Sequence, residues 1–210
     1  MKTAPVLADG QKRMNADFLG AAENGNVDSV RLLLDRGVDI HTQGDYALCW
    51  ASFNGHIEVV RLLLDRGADI HAKNDQPLCW AAIRGHLEVV RLLLDRGADI
   101  HAEDECALRW AVENGHLDVV QYLVEIGSDI QKHKKDIIGA IVSSQQMNVS
   151  DFFINRGYSI EEIVLGAKAA WQGEAVLVGQ LKARLAAEKE REDLQMAIPK
   201  VGAEAKPGRI

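Results

Sequence analysis

Between Asp75 and Asp104 the apolar residues fall into two short helical patterns. Leu78, Ala81 and Ala82 stand at i, i+3 and i+4, one face of a first helix that ends near Gly85. Leu87, Val90, Leu93 and Leu94 repeat the spacing on a second helix, closed by Gly97 as a left-handed C-terminal stop. On the polar side, Glu88, Arg91 and Asp95 at i, i+3 and i+7 are spaced for ion pairs worth about 0.2–0.5 kcal/mol each. The pattern predicts helix, tight turn, helix and then an extended finger. Neither helix reaches the ~12–15 residues at which an isolated helix persists in water, so stability has to come from stacking on neighbours.

The neighbours are copies of the same unit. Arg31-Leu-Leu-Leu-Asp-Arg-Gly37 recurs at Arg61 to Gly67 and Arg91 to Gly97, then in degraded form as Gln121-Tyr-Leu-Val-Glu-Ile-Gly127, and Phe152-Phe-Ile-Asn-Arg-Gly157 carries the thirty-residue period to a fifth glycine. Recurrence in register means an all-α solenoid of five helix-turn-helix units with short fingers, each burying its apolar faces on the next. The units are read as 14–44, 45–74, 75–104, 105–134 and 135–160. The first, with Phe18, Leu19, Gly20 and Ala21 in place of the signature residues and Asn26 where the others have His, reads as an N-terminal cap.

Residues 1–13 lack periodicity and are expected to be flexible. At the other end Ile163, Val164 and Ala167, then Val178, Leu181 and Leu185, predict a helical pair over 161–193 that seals the last face. Residues 194–210 are expected to be disordered.

The run Pro77-Leu-Cys-Trp-Ala-Ala-x-x-Gly-His-Leu-Glu-Val-Val-x-x-Leu-Leu-x-x-Gly-Ala-Asp resembles the ankyrin repeat. The resemblance covers 14–160, and its recurrence in register makes it specific. It departs from the usual pattern in two ways. The period is shorter than the usual ~33 residues, with the shortfall in the finger. Gln76 and Cys79, followed by Trp80, replace the usual Thr and His of the first helix. A thirty-residue form with Ala-Leu-x-Trp-Ala looks like the arrays carried by giant DNA viruses, which suggests a host-directed origin. The resemblance implies a protein-binding solenoid whose concave face grips partners, and no cofactor.

Composition narrows the setting. With 47% hydrophobic and 26% charged residues the chain reads as an ordinary soluble protein, and no apolar run approaches the ~20 residues of a membrane span. The opening residues hold too short an apolar stretch for a secretory signal, so a cytoplasmic protein is expected. The units carry 22 acidic and 13 basic residues, whereas 161–210 are balanced at eight of each. A negative array argues against direct nucleic-acid binding, which selects clustered Lys and Arg. Cys49 and Cys79 share a unit position, which puts them roughly 8–10 Å apart, beyond the ~7 Å reach of a disulfide. Cys106 occupies another position, and all three are expected to be reduced thiols.

Positions that vary while their neighbours stay fixed are where specificity would be written. The finger tips supply Lys73, Glu103 and Asp104, the finger bases Tyr46 and Gln76, and the ends of the first helices Phe53, Asn54, Ile83, Arg84, Glu113 and Asn114. With Trp80 these are the candidate partner-binding residues: an apolar patch with a charged rim has the make-up of a hot spot. The alternative is drift under weak constraint. Trp50, Trp80 and Trp110 recur once per unit and are expected to fill space left by the short finger, although a row of aromatic faces could also stack a ligand.

His56, His86 and His116, like His41, His71 and His101, repeat one unit apart, too far for one metal ion, and are assigned structural roles closing the inter-helix turn. Glu103-Asp-Glu105 is expected to face Lys132-His-Lys-Lys135 across one unit step, either as halves of a partner site or as mutual ion pairs. No phosphate loop, nucleophile elbow or free carboxylate pair is present, so no catalytic residue is assigned and a non-enzyme is expected. The leading expectation is a monomeric inhibitor that occludes a host protein. The alternatives are an acidic decoy of a nucleic-acid-binding protein, and an adaptor recruiting a second protein through its C-terminal helix.

Overall fold

The computed structural model describes the backbone of residues 4–170 and 176–197, with side chains over 10–165 and 176–191. Among the described residues it is helical and without strands, and no helix is long and apolar enough to cross a membrane. The helices come as hairpins: α1 (Ala4–Glu23) with α2 (Val27–Asp35), α3 (Tyr46–Phe53) with α4 (Ile57–Asp65), α5 (Ala72–Ile83) with α6 (Leu87–Asp95) and α7 (Ala102–Glu113) with α8 (Leu117–Ile126). Then follow α9 (Lys134–Ser144) with α10 (Met147–Ile154), and α11 (Ile160–Ala170) with α12 (Val176–Ala197). Inner helices α1, α3, α5, α7, α9 and α11 pack in a row, and α2, α4, α6 and α8 form a second row behind them.

The repeated leucines explain the stacking. Leu48, Leu63, Leu78, Leu93, Leu108 and Leu123, two per unit, are all fully buried, and Ala51, Ala81 and Ala111 let successive inner helices approach. Outer helices are tied by Arg66 to Asp35 and Arg96 to Asp65, each at 2.9 Å. These exposed pairs join successive units, whereas within α6 Arg91 meets Glu88 only at 3.8 Å. Ile126 stands where the next arginine would, 45% exposed.

The fingers differ from expectation. Instead of running extended, the chain turns tightly: Lys73, Asn74 and Asp75, and again Glu103, Asp104 and Glu105, all have positive φ between 48° and 62°. A finger shortened in sequence has to reverse within a few residues, and left-handed non-glycine residues cost roughly 1–2 kcal/mol each. Buried carboxylates offset that cost. Asp45, Asp75 and Glu105 each accept a backbone N–H from the following finger, of Asp69, Asp99 and Asp129 at 2.9–3.0 Å. Each also meets the histidine of its own finger, His41, His71 or His101.

The pairing expected between Glu103-Asp-Glu105 and Lys132-His-Lys-Lys135 does not form among the described residues. Glu105 turns inward, while Lys134 pairs with Glu162 at 2.7 Å.

At the N-terminal end, Met14, Phe18 and Ala22 pack on the core, and the helix they anchor reaches back to Ala4 through residues expected to be flexible. At the other end Ile163, Val164, Leu177, Val178 and Leu181 are buried, and Arg184 pairs with Asp151. The side chain of Ala167 lies outside the described residues. Of the tail expected from residue 194, α12 takes 194–197, and 198–210 lie outside the described residues.

The cysteine reading needs correction: Cys79 and Cys106 are joined in a disulfide, with Cα atoms 5.8 Å apart. The inter-unit spacing separates equivalent positions, such as those of Cys49 and Cys79. Cys106, however, sits three residues earlier in its unit, one helical turn back, and so comes opposite Cys79 of the preceding unit. Cys49 is a buried thiol, pushed up to about 12 by burial.

Candidate protein-binding face

The inner-helix row and the finger turns beside it carry most of the variable positions. Helix α3 presents Tyr46, Trp50 and Phe53, and α5 presents Trp80. Their ring centroids lie 5.2 Å apart for Trp50 and Trp80, 5.6 Å for Phe53 and Trp80, 5.8 Å for Trp50 and Phe53 and 6.4 Å for Tyr46 and Trp80. The close contacts are edge-on, the arrangement aromatic quadrupoles favour. All four rings are half-buried, so the cluster keeps a face to solvent.

Two cations border it. The Lys73 ammonium stands 3.2 Å from the centre of the Tyr46 ring, and the Arg84 guanidinium 5.0 Å from that of Phe53. Ile83, half-buried, extends the patch along α5.

A groove of about 450 Å³ continues from Trp80 toward α7, lined by Lys73, Gln76, Glu103, Arg109 and Trp110 with the Cys79–Cys106 bond at its wall. Glu103 is held there by an amide hydrogen bond from Asn74 at 2.5 Å. Gln76 lies half-buried with its carbonyl oxygen 3.9 Å from the Cys49 sulfur, which donates to it.

The tryptophans therefore differ from the space-filling role expected of them: Trp50 and Trp80 are half-buried in the surface cluster, and Trp110 is 39% exposed on the groove wall.

The remaining candidates stand apart. Asp104 is exposed at its finger tip, and Glu113 lies exposed at the end of α7. Asn54 and Asn114 use their amides to cap their own helices, donating to the Trp50 and Trp110 carbonyls at 3.0 and 2.9 Å. Trp50, Trp110 and Arg109 belong to the face and were absent from the predicted set. Trp50 and Trp110 recur once per unit and read as packing residues, and the position of Arg109 holds cysteine in the two preceding units, so none of them marks the face in the sequence.

The histidines hold this face from behind. His56, His86 and His116 do not close their own turns with their rings. Each Nε2 donates to the last inner-helix carbonyl of the preceding unit, on Glu23, Phe53 and Ile83, at 2.9–3.1 Å. Burial pushes His86 below its ordinary value. Hydrogen bonds to Asp45 and Glu105 act oppositely and raise His41 and His101.

Much of the negative charge is likewise committed to structure. Asp39, Asp69 and Asp99 each accept the backbone N–H of the histidine two residues on.

A family model of ankyrin repeats in three copies matches residues 18–74 and 71–134, more than half of the chain. The chain belongs to the ankyrin-repeat family. Ankyrin repeats are protein–protein interaction modules, in general without catalytic activity of their own, and imply protein partners. Comparison with curated proteins gave no match.

Proposed function

We propose that this ankyrin array binds a protein segment across the inner helices of its second and third units and acts by occluding it. Tyr46, Phe53, Trp80 and Ile83 supply the buried contact, and Lys73 and Arg84 its rim. The carrying observation is the half-exposed aromatic cluster with a cation at either side. Aromatic anchors inside a polar ring are what dominates binding energy at protein interfaces. Gln76, Glu103 and Asp104, with Asn54, Glu113 and Asn114 farther along the row, would tune specificity. The setting we attach, a monomer sequestering a host-cell protein in the cytoplasm, is supported by the resemblance of the short units to viral arrays.

The acidic-decoy alternative is less favoured, because Asp45, Asp75 and Glu105 are buried and Asp35 and Asp65 are paired with arginines. Capture from host-cell lysate, with the wild-type chain beside a Phe53→Ala/Ile83→Ala variant, tests the proposal. A partner lost with the variant and retained at moderate salt supports it. Capture that ignores the variant and vanishes with salt transfers the role to the acidic surface.

A further inference from the structure

The Cys79–Cys106 bond links α5 to α7 across one inter-unit step, and the preceding step offers a direct comparison. There the same two positions hold Cys49 and Gln76, again 27 residues apart in sequence, in contact through a hydrogen bond at 3.9 Å and no covalent link. One seam of the array thus closes without a covalent bond at positions where the next is bonded. The backbone geometry does not demand a disulfide. It does permit one, since a 5.8 Å Cα separation lies inside the normal range.

The pair, although buried, borders a groove. Cys79 and Cys106 retain 6% and 4% exposure and form part of the wall of the groove that opens between Trp80 and Trp110. Lys73 and Arg109 line the same groove, with Glu103 as its carboxylate. Two cations against one carboxylate in the groove lining attract an anionic small thiol or disulfide. Cys49 sits apart, fully buried.

We propose that Cys79 and Cys106 form a reversible dithiol–disulfide site that takes a low-molecular-weight disulfide of the glutathione class and locks the third unit to the fourth. In the closing direction one protein thiolate attacks a sulfur of oxidised glutathione and expels one glutathione thiolate. The second protein thiolate then attacks the protein-side sulfur of the mixed disulfide and expels the other. One S–S bond is exchanged for another, the protein pair loses two electrons and two protons, and two glutathione thiols are formed. Reduced glutathione reverses both steps. Closing the loop removes freedom from the unfolded chain, so the locked form melts higher, by roughly 5–15 °C for a chain of this size.

The test uses the full chain equilibrated with oxidised or reduced glutathione, alkylated, and mapped by mass spectrometry without reduction, with melting followed in parallel. The site is independent of the binding proposal, and no partner is needed. After oxidised glutathione the expected result is a peptide linking Cys79 to Cys106, alkylation at Cys49 alone after denaturation, and the higher melting temperature. After reduced glutathione all three cysteines are alkylated. A Cys106→Gln variant, which copies the arrangement at Gln76, should melt at one temperature in both buffers, while Cys49→Ser should keep the full shift. Three alkylated cysteines after oxidation, a linked peptide containing Cys49, or a pair that stays closed in reduced glutathione would each overturn the proposal.

Discussion

The His86 imidazole occupies the space where a side chain on Gly55 would begin. A Cβ on Gly55 would stand 2.6 Å from His86 Nδ1, while Nε2 of the same ring donates to the Phe53 carbonyl at 3.0 Å. Gly55 has a φ of +75°, so the glycine is required twice, by conformation and by the ring. The same relation joins Gly25 to His56 and Gly85 to His116, and it places the end of each inner helix, where the candidate binding residues sit, under control of the following unit.

Gly55→Ala is therefore expected to cost about 2–4 kcal/mol, the left-handed penalty plus overpacking against the ring. Gly67→Ala is the control: its φ is +92°, but a Cβ there meets nothing within 4 Å, so only the conformational part, about 1–2 kcal/mol, should be lost. Urea unfolding of both variants measures the difference, and equal losses would mean that the His86 contact carries no weight.

The Gly-His pair illustrates what the sequence made legible. The thirty-residue recurrence of the leucine-rich segment, with Gly-His in three of the units, made the stacked helix-turn-helix architecture legible, because stacking demands the same apolar residues at every step. It did not disclose the ring's partner, since the acceptor carbonyl lies 33 residues earlier and any residue supplies a carbonyl. The left-handed fingers were hidden for a related reason. Lys73, Glu103 and Glu105 carry no turn signature, and their contacts are to distant residues: Lys73 to the Tyr46 ring, Glu103 to Asn74 and Glu105 to the Asp129 N–H. The Cys79–Cys106 contact escapes the sequence because the unit spacing applies only to the equivalent pair Cys49 and Cys79, whereas a one-turn offset brings Cys106 opposite Cys79.

His101 and His86 predict opposite pH dependences. His101 is raised by its hydrogen bond to Glu105, so its contribution to stability is fully present below the unfolded value of about 6.5 and is lost as pH rises through the higher folded value. His86 is lowered by burial, so its contribution is present above about 6.5 and is lost as pH falls through the lower folded value. Chemical denaturation at about pH 5.5 and pH 8.5 should find His101→Asn more destabilising at the acid value and His86→Asn more destabilising at the alkaline one. Parallel losses at both pH values would contradict the assignment.

Glu105 occupies the position held by aspartate in the two preceding units. Its Oε1 meets His101 and the Asp129 N–H, whereas its Oε2 is buried without a hydrogen-bond partner. An unpaired buried oxygen costs about 1–3 kcal/mol, and the left-handed conformation suits aspartate better than glutamate. Set against the loss of about one buried methylene, Glu105→Asp is expected to raise stability by up to about 1 kcal/mol. A fall in thermal and urea midpoints would show that the longer side chain fits its site better than the orphaned oxygen suggests.

The central claim is that the aromatic patch on α3 and α5, not the acidic surface, holds the partner. Its most direct measurement is a binding isotherm for the captured partner with the wild-type chain, Phe53→Ala/Ile83→Ala, and Glu103→Lys/Asp104→Lys, each at low and moderate salt. The account predicts at least about a thirtyfold loss for the patch variant, equivalent to about 2 kcal/mol, with weak salt dependence and a small effect of charge reversal. Unchanged affinity for the patch variant, with binding abolished by charge reversal and by salt, would contradict it.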